Sequence, residues 1–179
     1  VCGGPNPCLP PPSLPPAQCQ PSCGPGYHCG QYGCARRARA RASNTLRVKT
    51  PSEFRSPNQL FMDCCETRGL PDACLQKCTF NTFTKEELLK MYFKQDPCPI
   101  EASAEIQFCA AQGRDHRHCC GRNGVGTTLA GEKCLTFCDQ RPGNITQLDF
   151  SYASCYERFD NMRNCFLHDI IARSETRFI

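Results

Sequence analysis

Eighteen cysteines in 179 residues constrain this chain more than any other feature. Twelve of them fall as two sets of six in one order: Cys64, Cys65, Cys74, Cys78, Cys98 and Cys109, then Cys119, Cys120, Cys134, Cys138, Cys155 and Cys165. Each set opens with an adjacent pair, continues with two cysteines separated by three residues, and closes with two at wider spacing. The shared order reads as an internal repeat, and a repeat bounds the architecture before any single residue does. The remaining six, Cys2, Cys8, Cys19, Cys23, Cys29 and Cys34, form a separate N-terminal group. Cysteine at about a tenth of all residues marks a disulfide scaffold, which a reducing cytosol would not sustain. The expectation is a secreted, extracellular protein. Its even cysteine count allows complete pairing.

The sequence starts at Val1 without a charged or apolar leader, so a signal peptide is read as removed or as lying outside this sequence. No apolar run approaches the roughly 20 residues that span a bilayer. Hydrophobic residues make up 40% of the chain, but cysteine supplies many of them and tryptophan is absent. The apolar core is therefore thin, and cross-links worth about 2–4 kcal/mol each replace missing burial. The net charge of +4 is uneven. Residues 1–57 hold seven basic residues and one acidic; residues 58–179 hold 14 basic and 16 acidic.

Four segments follow. Residues 1–35 are rich in cysteine and proline, with PPPSLPP at 10–16. Proline fixes φ and removes donors, so an irregular, stapled segment is expected there, without regular helix or sheet. Residues 36–55 read as a basic, disordered linker. Arg36, Arg37, Arg39 and Arg41 within it are a candidate site for a furin-like processing protease or for sulfated glycans. No aromatic residue interleaves with them, and nucleic acid is not an expected partner. Residues 56–172 read as all-α, and 173–179 as a tail.

Helix signals are dense in the third segment. Ser56-Pro57-Asn58-Gln59 is a capping box with proline at the first helical position. Gly69 stops that helix and Pro71 opens a short second one. Thr84 and Glu87 form another box, before a helix that Pro97 ends. A helix over 101–112 stops at Gly113, and Asp115 caps the next. Residues 121–131 read as a glycine-rich loop. Ser151 starts the last helix, whose face carries Tyr152, Cys155, Tyr156, Phe159, Met162 and Phe166. Cys64 and Cys65 point about 100° apart on a helix, so one can face a hairpin partner and the other a third helix. Cys74 and Cys78 lie one turn apart and are expected to present both sulfurs to one neighbour. Two stapled helical units packed into one module are expected. Their pairings stay open, because twelve cysteines allow on the order of ten thousand connectivities.

FMDCC at 61–65, LPDACLQKC at 70–78, IQFCAAQGRDHRHCC at 106–120, CLTFC at 134–138 and YASCYERFDNMRNCF at 152–166 together resemble the DB module, a nematode extracellular domain. The N-terminal PGYHCGQYGCARRARARA is similar to the segment that often precedes this module. The resemblance implies six disulfides among the twelve cysteines and an extracellular setting. It implies no catalytic residue.

The residues themselves point away from catalysis. His116, His118, Cys119 and Cys120 are zinc-type ligands, but both cysteines have counterparts at Cys64 and Cys65 that lack the histidines, so a disulfide role is preferred and no metal is expected. Gly124, Gly126 and Thr127 lack the lysine of a phosphate loop. Glu86 and Glu87 read as a helix first turn. Asn144-Ile145-Thr146 is a glycosylation sequon. The leading expectation is a non-enzymatic extracellular protein-binding module without a cofactor or a membrane span, acting on a receptor or adhesion partner. The alternative is a small lipid or hydrophobic-ligand carrier using Leu88, Leu89, Phe93, Phe159 and Phe166. A third reading is a protease inhibitor in residues 1–34.

Overall fold

The computed structural model describes Cys19 and residues 22–37, 55–143 and 150–175. These form a mostly helical, disulfide-rich protein, as the cysteine and capping patterns predict, together with one small sheet that they do not predict. Helix α1 spans Pro57–Thr67 behind the expected capping box: Ser56 accepts from the Gln59 amide and the Gln59 side chain accepts from the Ser56 amide. Gly69 then turns the chain at φ 70°. Pro71 leads into α2, Asp72–Leu75. Helix α3, Lys85–Tyr92, is capped by Thr84. Helix α4, Ser103–Ala110, follows a 3₁₀ turn over Ile100–Ala102. Helix α5 is Arg117–Arg122. The final helix α6, Phe159–Glu175, runs past the expected boundary at 172.

Four expectations about the secondary-structure elements need correction. Helix α3 ends before Pro97 is reached, because Lys94 enters the left-handed region at φ 56° and the Gln95 amide closes back on the Lys90 carbonyl. The segments over Gly131–Cys138 and Phe150–Arg158 are 3₁₀ rather than α-helical, and the loop between α5 and Gly131 includes a 3₁₀ turn at Val125–Thr127. Asp115 does not cap α5 from the N-cap position, which is His116; it accepts from the Arg117 amide instead. The N-terminal piece is not irregular throughout. Strands β1, Tyr27–Gly30, and β2, Gly33–Arg36, pair antiparallel with Cys29 opposite Cys34. Gly30 and Gly33 flank a two-residue turn, and Gly33 sits at φ 125°, where a side chain would be strained. The glycines and the cross-links set this hairpin. Hydrophobic alternation does not.

Eight disulfides join the cysteines among the described residues. In the first set of six, Cys64 bonds Cys109, Cys65 bonds Cys78 and Cys74 bonds Cys98. In the second, Cys119 bonds Cys165, Cys120 bonds Cys138 and Cys134 bonds Cys155. Both sets thus pair first with sixth, second with fourth and third with fifth. The adjacent pair divides as helix geometry requires: Cys65 holds the near hairpin and Cys64 reaches α4. Cys74 and Cys78 do not serve one neighbour, since they bond Cys98 and Cys65 respectively.

One core runs through both units. Phe61 meets Phe80 at 5.1 Å and Phe83 at 5.8 Å, and Phe83 meets Phe159 of α6 at 4.9 Å. Edge-to-face contacts of this kind add about 0.5–1.5 kcal/mol beyond burial. Polar contacts cross the same joint. The buried Gln107 amide donates to the Phe137 carbonyl at 2.7 Å, and Arg163 donates to the Phe83 carbonyl at 3.3 Å.

Candidate functional site

Three places concentrate chemistry. The first is the seat of the hairpin. Its end packs on α2, with Ala35 fully buried and bridged to Pro71. The Tyr27 hydroxyl donates to Asp72 at 2.7 Å, and the Arg36 guanidinium pairs with the same carboxylate at 2.9 Å. The bond from Tyr27 and then those from Arg36 lower the Asp72 pKa. Arg37 donates to the Tyr27 carbonyl. Beside this seat runs a groove of about 990 Å³ lined by Tyr27, Arg36, Arg55, Asp63, Glu66 and Leu70, among others. Arg55 at its rim is paired with Asp63 at 2.8 Å. Of the three arginines lining the groove, Arg36 and Arg55 are therefore paired with carboxylates. Of the candidate basic residues, Arg36 and Arg37 fall at this seat, while Arg39 and Arg41 lie outside the described residues, as does Asn144.

The second place is the start of α5. Asp115 takes a bidentate contact from Arg117, at 2.7 and 3.0 Å, which with the Arg117 amide holds its pKa down to about 2. The buried Asp139 is clasped by Arg141 at 2.7 Å. Between them His116 is buried against the Phe166 ring at 5.0 Å, with Nε2 facing Asp169 at 3.4 Å and Nδ1 facing the Arg114 carbonyl at 3.3 Å. Burial lowers the His116 pKa and outweighs the pull of Asp169. The sulfurs of Cys119 and Cys120 are both in disulfides, so the His-x-His-Cys-Cys sequence offers no thiolate. The sulfurs of Cys19, Cys23 and Cys34 lie within 4.8 Å of one another, but they belong to the two disulfides that staple the hairpin.

The third place is α3. Its inner stripe, Leu88 and Met91, enters the core. Lys77 is held beneath it by Glu87 and, at 2.7 Å, by Asp96. Burial works against the Lys77 charge, but these two bonds prevail and raise its pKa. On the outer side Leu89 is 44%, Tyr92 65% and Phe93 62% exposed. The five apolar residues considered for a carrier are thus divided: Leu88, Phe159 and Phe166 are core, whereas Leu89 and Phe93 face solvent. Apolar character alone does not separate these two groups, because α3 and its C-cap carry two apolar stripes. The outer one, at 89, 92 and 93, has helical spacing of its own.

The family model of the DB module matches residues 64–166, from the adjacent pair of the first set to the residue after the last cysteine of the second. The chain belongs to the DB module family. Its matched region holds all twelve repeat cysteines and the six disulfides that join them. The hairpin that docks on α2 lies outside the matched residues. No curated protein and no solved structure matches the chain. Among the described residues, no helix is long and apolar enough to cross a membrane.

Proposed function

We propose that this DB module protein is a secreted, non-catalytic binding module that recognises an extracellular protein through its surface. The observation that supports this most is how its reactive groups are spent. Sixteen cysteines are in disulfides. Lys77, Asp115, Asp139 and Asp169 are committed to ion pairs within the fold. A cross-linked scaffold with its charges neutralised internally offers shape and exposed side chains rather than a poised nucleophile.

Extensive disulfides and the DB module support an extracellular location, reached with a signal peptide that is removed. The identical pairing order in the two sets supports an origin by duplication. Complete pairing of all eighteen cysteines and a glycan at Asn144 belong to the same reading. Residues 36–55 tether the N-terminal piece to the helical module. Sulfated glycans are a secondary partner for Arg36, Arg37, Arg39 and Arg41. Pairing of Arg36 with Asp72 weakens this reading, and charge reversal at the four arginines tests it on heparin.

Native mass spectrometry of the protein secreted from animal cells, without reductant, tests the main reading. Nine closed disulfides, one glycan and no other mass are expected. Retained lipid would replace it with the carrier, and free thiols with bound zinc would overturn the scaffold on which it rests.

A further inference from the structure

We infer that the outer face of α3 is the docking ridge of this module and that it fits an apolar groove, rimmed by carboxylates, on a partner protein. The inference deepens the binding-module reading and rests on it. Among the described residues six large hydrophobic side chains are exposed, and three of them lie together, Leu89 and Tyr92 on α3 and Phe93 at its C-cap. Their spacing is i, i+3 and i+4, the pattern by which a helix lays anchors into a groove. The two rings meet edge to face at 5.3 Å, so they present one composite apolar surface. Aromatic anchors of this kind bury about 150–250 Å² each and dominate the energetics of interfaces.

The ridge is rigid before any partner arrives. Leu88 and Met91 fix the opposite side of the helix in the core, and the Cys74–Cys98 disulfide and the Lys77–Asp96 pair close the loop that follows. Binding through a preformed ridge avoids much of the ordering cost of association. Its end is also kept in a costly conformation. Lys94 holds φ 56°, a left-handed geometry that L-residues other than glycine adopt with strain. Strain of this kind collects at sites that bind.

Charge selects among the candidate occupants. Of the acidic groups near the ridge, Glu87 is bonded by Lys77 and Lys90 and Asp96 by Lys77, while Glu86 is exposed at the first turn. Lys85 begins the same face, beside Glu86. Lys94 ends it with no ion-pair partner among the described residues. Two copies of the ridge packed on each other would set lysine against lysine in either direction, which disfavours a dimer through this face. A bilayer is disfavoured as well. Interfacial binding scales with buried apolar area, and α3 with its C-cap spans nine residues with three apolar side chains outward. A groove with an acidic rim satisfies both the anchors and the lysines.

The test screens the full-length wild-type protein against an array of purified extracellular receptor domains and against vesicles of phosphatidylcholine with phosphatidylserine. Its oligomeric state is read by sedimentation. For each domain bound, affinity is then measured for Tyr92→Ser, Phe93→Ser and Lys94→Glu, with Leu129→Ser as the control at a distant exposed site. The inference expects at least a tenfold loss with either aromatic variant, a slower on-rate with Lys94→Glu that disappears in high salt, and no change with Leu129→Ser. Unchanged melting temperatures show that the variants fold. A bound domain that ignores the α3 variants overturns the ridge and leaves the module's binding function standing. Failure to bind any domain overturns both. Vesicle binding or dimerisation that the same variants abolish overturns the protein groove in favour of lipid or of self-association.

Discussion

Replacing Cys64 and Cys109 together by alanine removes the bridge that spans the first unit, across a sequence separation of 45. Taken alone, a loop of that size stabilises by about 4 kcal/mol in the chain-entropy account. The bridge is not alone. With it gone, the unfolded chain still connects the two positions through Cys65–Cys78 and Cys74–Cys98, a path of about 18 residues. The constraint removed is therefore worth about 3 kcal/mol. The second unit has the same topology: Cys119–Cys165 spans 46, and its path through Cys120–Cys138 and Cys134–Cys155 is about 17 residues. Removing Cys119 and Cys165 should cost the same about 3 kcal/mol, within roughly 1 kcal/mol of the first variant. Guanidinium unfolding without reductant, followed by far-ultraviolet circular dichroism, reads both values. A large loss in one unit with a negligible loss in the other would refute the reasoning, because it would show that local packing outweighs the shared bridge order.

Four further outcomes follow from particular residues. Lys94→Gly should stabilise the fold by about 1 kcal/mol, since glycine relieves the left-handed strain and the lysine side chain has no ion-pair partner within the described residues to lose. Gln112→Gly, at φ 53°, should gain nothing in the same melting assay, because the Gln112 side chain donates to the Cys109 carbonyl at 2.7 Å and to the Leu60 carbonyl at 3.4 Å. For His116 the folded pKa is lowered by burial, so below the unfolded value of about 6.5 the unfolded chain binds the extra proton. Its contribution is complete above that pH and is lost as pH falls through it; thermal melts at pH 7.5 and 5.5 should differ, and His116→Gln should shrink the difference. Phe83→Ala should cost about 3–5 kcal/mol, read by chemical denaturation, because the ring joins Phe61 of the first unit to Phe159 of the second.

How much of this was legible in the sequence depends on whether a signal was local. The Ser56 capping box, the Gly69 stop and the Thr84 cap are each set by a few neighbouring residues, and all three appear in the structure. The partition of Cys64 and Cys65 was legible for the same reason, since 100° per residue fixes their divergence. The choice of partner was not. Cys74 and Cys78 share one side of a short turn, yet they bond Cys98 and Cys65, and only the path of the chain beyond α3 decides which sulfur is reached. The hairpin was missed because its two strands are four residues each and carry no alternating pattern. Gly33, the stapling disulfides and the docking of Ala35 on Pro71 stabilise it, and the last joins residues far apart in the chain.

The outer face of α3 shows why the binding surface is the hardest part to read. Hydrophobic periodicity reports that a side chain is apolar, and an anchor for a partner is written in the same letters as an anchor for the core. Leu88 and Leu89 are adjacent and identical, but one is buried and the other is 44% exposed. What separates them is the width of the apolar arc: Leu88 and Met91 cover one side, and Leu89, Tyr92 and Phe93 continue it by nearly half a turn. A helix with one neighbour cannot bury so wide an arc. The excess width at 88–93, set beside lysines at 85 and 94, is the sequence trace of the exposed face from which the docking ridge is inferred.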